Sequence, residues 1–242
     1  MHRGQDQHLA ALRVVQAHVG ERDLGPQPGP ARPDGADFHR QADGARDCGD
    51  NVGAVALDVG EHPVAQREDQ RGKREDSFLV SEDGTRVRFG LGYGSNVPVI
   101  FDLASRELID APSLDPSLSQ ADTEGLPITN WYDEFAPMLN GQPIEMQNSE
   151  RSRSLSVARD RQHFVLGTEY RLRGFTAAGE QLWERAMPGV TWGVNIAGNG
   201  KVVVVACGDG TLRWYRVSDG AELLTLFVHA KDRRWVAWTP QG

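Results

Sequence analysis

The chain has 242 residues, of which 25% are charged, and its formal net charge is −8 at pH 7. Two cysteines are too few for a disulfide scaffold, and no run of about 18 apolar residues is present to span a membrane. The acidic balance likewise argues against nucleic acid as the partner. These averages conceal an uneven distribution, because all six tryptophans lie at or beyond Trp131.

The first 76 residues are poor in the side chains that build a hydrophobic core. They contain 12 Leu, Ile, Val and Phe residues, no Trp or Tyr, and four prolines between Pro26 and Pro33. Chains with less than about 20% of these four apolar types rarely form a core. We therefore predict that residues 1–76 are disordered. Because the chain has 23 Arg and three Lys, as GC-rich genes often encode, a second hypothesis is that this segment is a spurious, wrong-frame translation.

Five of the seven histidines lie in this first segment, which raises the question of a metal site. Their spacing is irregular, and no closely spaced pair accompanies two cysteines in the way that a structural zinc site requires. We therefore predict no metal site and no cofactor. The five residues are His2, His8, His18, His39 and His62.

From Ser77 onward the chain repeats with a period of about 40 residues. Residues 155–157 match residues 194–196 at a spacing of 39, and Val165 matches Val204 at the same spacing. In the clearest copy, residues 193–228, four β-type runs are separated by turns rich in Gly, Asp and Asn. Four antiparallel strands per repeat are typical of a β-propeller blade. The predicted fold is all-β, a partial propeller of about four blade-like repeats.

Two segments resemble the WD-repeat β-propeller family. Residues 211–220 are similar to the family's third strand and the turn after it, with Tyr215 where Trp is usual and Arg216 where Asp is usual. Residues 99–104 keep the Asp, as Asp102. No Gly-His pair precedes any first strand, so the structural His–Asp network of typical members is absent.

The closing segment, residues 227–240, is similar to that of large bacterial WD-repeat proteins that carry a caspase-like peptidase domain elsewhere. The whole resemblance covers roughly residues 77–242. It implies a propeller that presents a protein-interaction surface and acts as a scaffold.

Two parts of the repeat region are irregular. Residues 111–150 contain five prolines, which limit strands, and we predict a degenerate blade reached through a long loop at residues 123–125. Residues 236–242 repeat the pattern of residues 194–200 and predict the first strand of another unit. Residues 77–242 are therefore predicted to be an incomplete propeller, a fragment whose exposed strand edges promote self-association.

One pair of residues suggests an enzyme. An apolar strand leads to Cys207, and His163 lies 44 residues upstream, an order similar to that of caspase-like proteases. The flanking residues differ from that family's signature, because Val205 replaces Gln and Phe164 replaces Gly. The repeat also places Cys207 where Thr168 ends the corresponding strand. We interpret Cys207 as a buried strand residue, and a cysteine hydrolase is the alternative.

Loops before the first strands of propeller blades gather on one face, and three such loops here carry Arg or Trp. These residue types are favoured at the centres of protein interfaces. The competing interpretation is that the tryptophans pack between blades and the arginines face water. The candidate binding residues are Arg151, Arg153, Trp192, Arg233 and Arg234.

The sequence thus predicts a non-enzymatic, cytoplasmic scaffold that binds a protein partner. We predict no catalytic residues and no binding to nucleic acid or to a membrane. Besides the hydrolase, a third interpretation is a non-functional truncated open reading frame. The identity of the partner is not encoded in the repeat, because repeat architecture specifies geometry and the loops specify function.

Overall fold

Turns rich in glycine, aspartate and asparagine divide the chain into short strands, and a computed structural model shows how these strands associate. It describes residues 70–73, 75–91 and 96–241, which belong to one compact unit. The disorder predicted for residues 1–76 falls almost entirely outside the described residues, as do the five amino-terminal histidines. A short 3-10 helix, Glu75–Ser77, precedes the first strand.

The described strands form four antiparallel sheets, which we number blade 1 to blade 4 in chain order. Blade 1 contains β1 (Leu79–Ser81), β2 (Arg86–Leu91), β3 (Val97–Asp102), β4 (Glu107–Asp110) and β5 (Leu118–Ser119). Blade 2 contains β6 (Ile128–Thr129), β7 (Met138–Leu139) and β8 (Gln142–Pro143). Blade 3 contains β9 (Ser152–Val157), β10 (His163–Thr168), β11 (Arg171–Thr176) and β12 (Gln181–Ala186). Blade 4 contains β13 (Thr191–Ile196), β14 (Val202–Cys207), β15 (Thr211–Arg216), β16 (Glu222–Val228) and β17 (Trp235–Trp238).

The hairpins of blade 4 form where the sequence predicts them, because each turn has both a suitable glycine and a side-chain acceptor. The φ angles of Gly210 and Gly220 are 83° and 64°, in the left-handed region that glycine adopts without steric cost. Asp209 accepts hydrogen bonds from the backbone N–H and the hydroxyl of Thr211, at 3.0 and 2.6 Å. Asp219 accepts one from the N–H of Ala221 at 2.9 Å. These contacts close the two turns and fix the strand register.

Strand β14 is apolar throughout because both of its faces are buried. Val202, Val204 and Ala206 point into a core shared with blade 1. Their neighbours Val203, Val205 and Cys207 point into a second core shared with blade 3. Blade 4 therefore lies between blades 1 and 3, and the alternation of side chains along one strand serves two interfaces.

The other face of blade 3 packs against blade 2, with Phe164 stacked on Phe175 within that core. The first strands β1, β9 and β13 approach one another, and the segment at residues 118–122 runs between them. The Asn195 side chain donates to the carbonyl of Ser119 at 2.8 Å, and the N–H of Val157 donates to the carbonyl of Asp122 at 2.6 Å. Sheets stacked face to face with their first strands innermost constitute a β-propeller arrangement, here a partial one.

Two strand assignments differ from the repeat. The closing segment, predicted to start a new unit at residues 236–242, instead forms β17, which pairs with β16 as a fifth strand of blade 4. Its backbone satisfies the hydrogen-bonding groups along the outer edge of β16, which would otherwise be unpaired. Blade 2 is degenerate as predicted, but part of its approach, β5, joins blade 1 by pairing with β1. The prolines of this region leave room only for two-residue strands.

Two tryptophans link neighbouring blades through their indole N–H groups. Trp214, on β15, donates to the carbonyl of Gly84 in blade 1 at 2.7 Å. The equivalent position of blade 3 is Gly174, and the indole there comes from Trp183 on the next strand, which is the cross-strand partner of Gly174. Trp183 donates to the carbonyl of Val217 in blade 4 at 2.7 Å. The same link between blades is thus built from two different strands.

Aromatic side chains on the third strands of blades 1 and 4 pack between blades. Phe101 and Tyr215 are 1% and 2% exposed and lie in the two cores that flank blade 4. Phe101 also meets Trp235 edge to face, with 4.9 Å between the ring centroids. Their periodic spacing in the sequence therefore reflects inter-blade packing.

Candidate functional site

A cleft lies at the end of the blades where the first strands begin. It contains about 440 Å³ of empty space, part of it open to solvent. The openings of β9 and β13 form two of its walls, and the other walls come from residues 72–73, 121–123 and 131–132. Clefts where several structural units meet are common ligand sites.

Trp192 lines this cleft, and its indole ring contacts two cations. The Nζ of Lys73 lies 4.6 Å from the centroid of the indole ring, and the Cζ of Arg153 lies 5.4 Å from it. Both distances are within the range of cation–π attraction. Arg153 and Trp192 are each the second residue of a first strand, so stacking blades 3 and 4 places them side by side. The structure therefore brings these two predicted residues together.

Arg151 joins the same group through shared carboxylates. Asp133 pairs with both Arg151 and Arg153, the first at 3.2 Å, and Glu169 pairs with Arg153. The hydrogen bond from Arg151 is the largest cause of the lowered pKa of Asp133, to which the positive charge of Arg153 also contributes. Arg151 in addition lies over the ring of Phe135, with its Cζ 4.5 Å from the centroid. Three of the five predicted residues thus form one continuous group.

Exposed aromatic residues surround this group. Tyr132, Phe135 and Tyr170 are 59%, 53% and 60% exposed. Tyr132 lines the cleft, Phe135 lies under Arg151, and Tyr170 follows the Glu169 that pairs with Arg153. We call Arg151, Arg153, Trp192 and these three aromatic residues the aromatic–basic face. Sequence reasoning overlooked the aromatic members; the adjacent Trp131 and Tyr132 were a signal, but they lie in the irregular segment around blade 2.

Arg233 and Arg234 lie in the loop between β16 and β17 and do not line the cleft. Arg233 pairs with Asp110 of blade 1, and Arg234 pairs with Asp232 at 2.7 Å. Because β17 adds to the outer edge of blade 4, this loop is displaced from the first strands, where the repeat predicted it. These two residues therefore form a separate group.

A buried ion pair fixes the loop before β9. Glu150 and Arg173 are 2% and 1% exposed, and two parallel hydrogen bonds of 2.9 and 2.7 Å join the carboxylate to the guanidinium. The hydroxyl of Thr168 also donates to Glu150, and Glu184 accepts from Arg173 at 3.0 Å. This network connects the loop before β9 to β10, β11 and β12. It holds the segment that carries Arg151 and Arg153.

Glu150 couples this network to pH. Burial by itself raises the pKa of Glu150, but hydrogen bonds from Arg173, Thr168 and the N–H of Gln147 outweigh it, so the pKa lies below its ordinary value of 4.5. A carboxyl with a lowered folded pKa stabilises the folded state above its unfolded pKa, and that contribution is lost as pH falls through the folded pKa.

We therefore expect the stability difference between the wild type and Glu150→Gln to be full at pH 7 and to shrink below about pH 4.5. Urea unfolding followed by circular dichroism at pH 7, 4 and 3 measures this difference. Other titrating groups are shared by both proteins and cancel in the comparison. An unchanged difference at pH 3 would show that Glu150 is not held as a carboxylate.

The hydrolase pair predicted as an alternative does not form. Cys207 ends β14, whereas His163 begins β10, at the opposite end of the neighbouring blade. The two positions differ by five residues along the strand direction, which corresponds to roughly 17 Å. Cys207 is also fully buried, and this burial is the main cause that raises the pKa of its thiol to about 12. A thiol in that state is not a nucleophile at neutral pH.

We expect the thiol of Cys207 to remain unlabelled by a maleimide in the native protein and to be labelled once the protein is unfolded. The experiment uses Cys48→Ser, so that Cys207 is the single thiol, and mass spectrometry reads the extent of labelling. Complete labelling of native protein within minutes at pH 7 would contradict this burial.

Within the described part of the chain, no group of three or more His, Cys, Asp or Glu residues is arranged to hold a metal ion. The same residues include no helix that is long and apolar enough to cross a membrane.

Comparisons with known proteins add little to this geometry. No protein-family model matches the sequence, and no curated protein matches it. Among solved structures, the chain is similar to the β-propeller domain of Cps50 (Swd1) from Myceliophteria thermophila, at 15% identity and a TM-score of 0.28. The match covers 57% of this chain and 51% of that one, so the chain spans about half the length of that structure. The propeller arrangement therefore rests on the strand pairing and packing described above, and the resemblance to caspase-associated bacterial proteins stays a prediction.

Proposed function

We propose that this protein is a non-enzymatic interaction scaffold that binds a protein partner on the aromatic–basic face. The observation that carries the proposal is the exposure of Tyr132, Phe135 and Tyr170 around Arg151 and Arg153. Tyr, Phe, Trp and Arg are enriched in interfaces, and their rigid side chains bury large areas at a small entropic cost.

The ion pairs of this face support a role in binding because they hold its arginines in place. Arg153 is fixed by Asp133 and Glu169, and the loop before β9 is fixed by the buried Glu150. Side chains that are ordered before association lose less conformational entropy when a partner binds. The proposed setting is the bacterial cytoplasm, and the proposed parent is a larger propeller that includes residues 77–242.

Site-specific photo-crosslinking tests this proposal. A benzoylphenylalanine placed at Tyr170 should capture a defined partner in cells, whereas the same group at Leu182, which is 40% exposed on the outer strand of blade 3, should not. The captured protein is then purified, and its affinity is measured for the wild type, Phe135→Ala and Tyr170→Ala. We expect at least about a tenfold loss for one of the two variants. Equal capture at both positions, or equal affinity for all three proteins, would overturn the proposal.

A further inference from the structure

We propose that the cleft beside Trp192 binds a short acidic peptide segment, with one carboxylate held between Lys73 and Arg153. This inference rests on the proposed function, because it names the chemistry of the partner segment that enters the same face.

The charged side chains that line the cleft have the opposite sign to the net charge of the protein. The charged side chains that line it are Lys73 and Arg153, both cations, in a chain whose net charge is −8. Arg153 is already balanced by two carboxylates. Lys73 is exposed and forms no ion pair within the described residues; its ammonium contacts the ring of Trp192. A ligand carboxylate would therefore supply the acceptor for three donor hydrogens that the described residues leave without a partner.

The remaining walls are apolar or carry donors. Phe78, Leu155 and Val194 line the floor, so a ligand that combines a carboxylate with an apolar side chain fits better than a small anion. The Nε1 of Trp192 and the Nε of Arg153 are both buried and have no acceptor among the described residues. Leaving such donors unpaired is costly, and carboxylate or peptide carbonyl oxygens are the groups that accept them.

Peptide is favoured over nucleic acid by the surroundings of the cleft. Asp133 and Glu169 both pair with Arg153, which reduces the positive charge that the cleft offers to a continuous phosphate backbone. A nucleic-acid site needs a stripe of cations that neutralises several phosphates, and this cleft offers two. An isolated carboxylate on a peptide needs no more than that.

Fluorescence anisotropy tests this inference with a fluorescein-labelled, amidated peptide of sequence Gly-Glu-Leu-Glu-Leu-Gly. A second peptide carries Gln in place of Glu, and a third has a free carboxyl terminus, which distinguishes side-chain from terminal carboxylates. An oligothymidine of matched length is the nucleic-acid probe. Each probe is titrated with wild type, Lys73→Ala, Trp192→Ala and the matched control Lys201→Ala, whose lysine lies in the turn at the opposite end of β13.

We expect the Glu peptide to bind at least about tenfold more tightly than the Gln peptide. Lys73→Ala should weaken it about threefold to tenfold and Trp192→Ala by more, while Lys201→Ala leaves it unchanged. Equal binding of both peptides, equal loss for both lysine variants, or tighter binding of oligothymidine would overturn the inference. The peptide inference can fail while Phe135→Ala still weakens binding of the partner captured at Tyr170. In that result the proposed function stands and only the acidic-peptide chemistry is wrong.

Discussion

Glu150→Ala is expected to lower the free energy of unfolding by about 3–5 kcal/mol. The substitution removes the carboxylate that forms two hydrogen bonds with the buried Arg173. The guanidinium then keeps only Glu184, which is 30% exposed on its side chain. A buried charge that loses its buried partner is among the most destabilising changes that a single substitution can cause.

The double variant Glu150→Ala/Arg173→Met separates this effect from a general loss of packing. It removes both charges, so we expect its loss of unfolding free energy to be smaller than the sum of the losses of the two single variants. Chemical denaturation at pH 7 gives all four free energies. Arg159→Ala is the control, because its ion pair with Glu82 is more than half exposed on both sides and should contribute less than about 1 kcal/mol. Additive single and double effects would show that the pair is not coupled.

Trp214→Ala is the second substitution expected to have a large effect, again about 3–5 kcal/mol. The indole is 1% exposed, lies in the core between blades 4 and 1, and donates a hydrogen bond to the carbonyl of Gly84. Loss of the indole leaves a large cavity and an unpaired carbonyl at the interface where blade 4 packs against blade 1.

Trp192→Ala is the matched control for Trp214→Ala, since it removes the same side chain from a half-buried position in the cleft. We expect it to change the free energy of unfolding by less than about 1 kcal/mol while it removes peptide binding. Urea unfolding monitored by circular dichroism distinguishes the two variants. Similar losses of stability for both would mean that Trp192 serves packing and not binding.

The sequence predicts the strands and turns of blade 4 well because their determinants are local. Asp209 and Gly210 are adjacent residues that close one turn. The uninterrupted apolar sequence of β14 indicates a strand that is buried on both faces. The third-strand aromatics recur at the blade period because each fills an equivalent interface. The local turn and strand patterns, together with their repetition, are therefore sufficient to predict the fold class.

The sequence does not reveal contacts that form across strands or between blades. Trp183 replaces the indole missing at Gly174 from a neighbouring strand, which no spacing along the chain shows. Glu150 directly precedes Arg151 in the sequence, yet it is buried against Arg173, 23 residues further along. The repeat suggested a new unit at β17, since pattern matching cannot tell a first strand from an added outer one.

The candidate site was predicted in part for the same reasons. Arg153 and Trp192 occupy equivalent positions in adjacent blades, so the repeat brings them to one face. Lys73 and Tyr132 come from outside the regular strands, and their approach to Trp192 depends on how blade 1 and the irregular blade 2 segment pack. Only the tertiary arrangement assembles all four residues around one cleft.

The stacking of blade 1 on blade 4 builds the larger core and one side of the cleft, so the whole arrangement depends on it. The N–H of Asn199, in a turn of blade 4, donates to the carbonyl of Glu82, in a turn of blade 1, at 2.9 Å. This proximity suits a disulfide between the two positions. In a Cys48→Ser background, we expect Glu82→Cys/Asn199→Cys to form an intramolecular disulfide, seen as faster non-reducing gel migration that neither single variant shows. Failure to form it, or formation only between molecules, would contradict the stacking of these two blades.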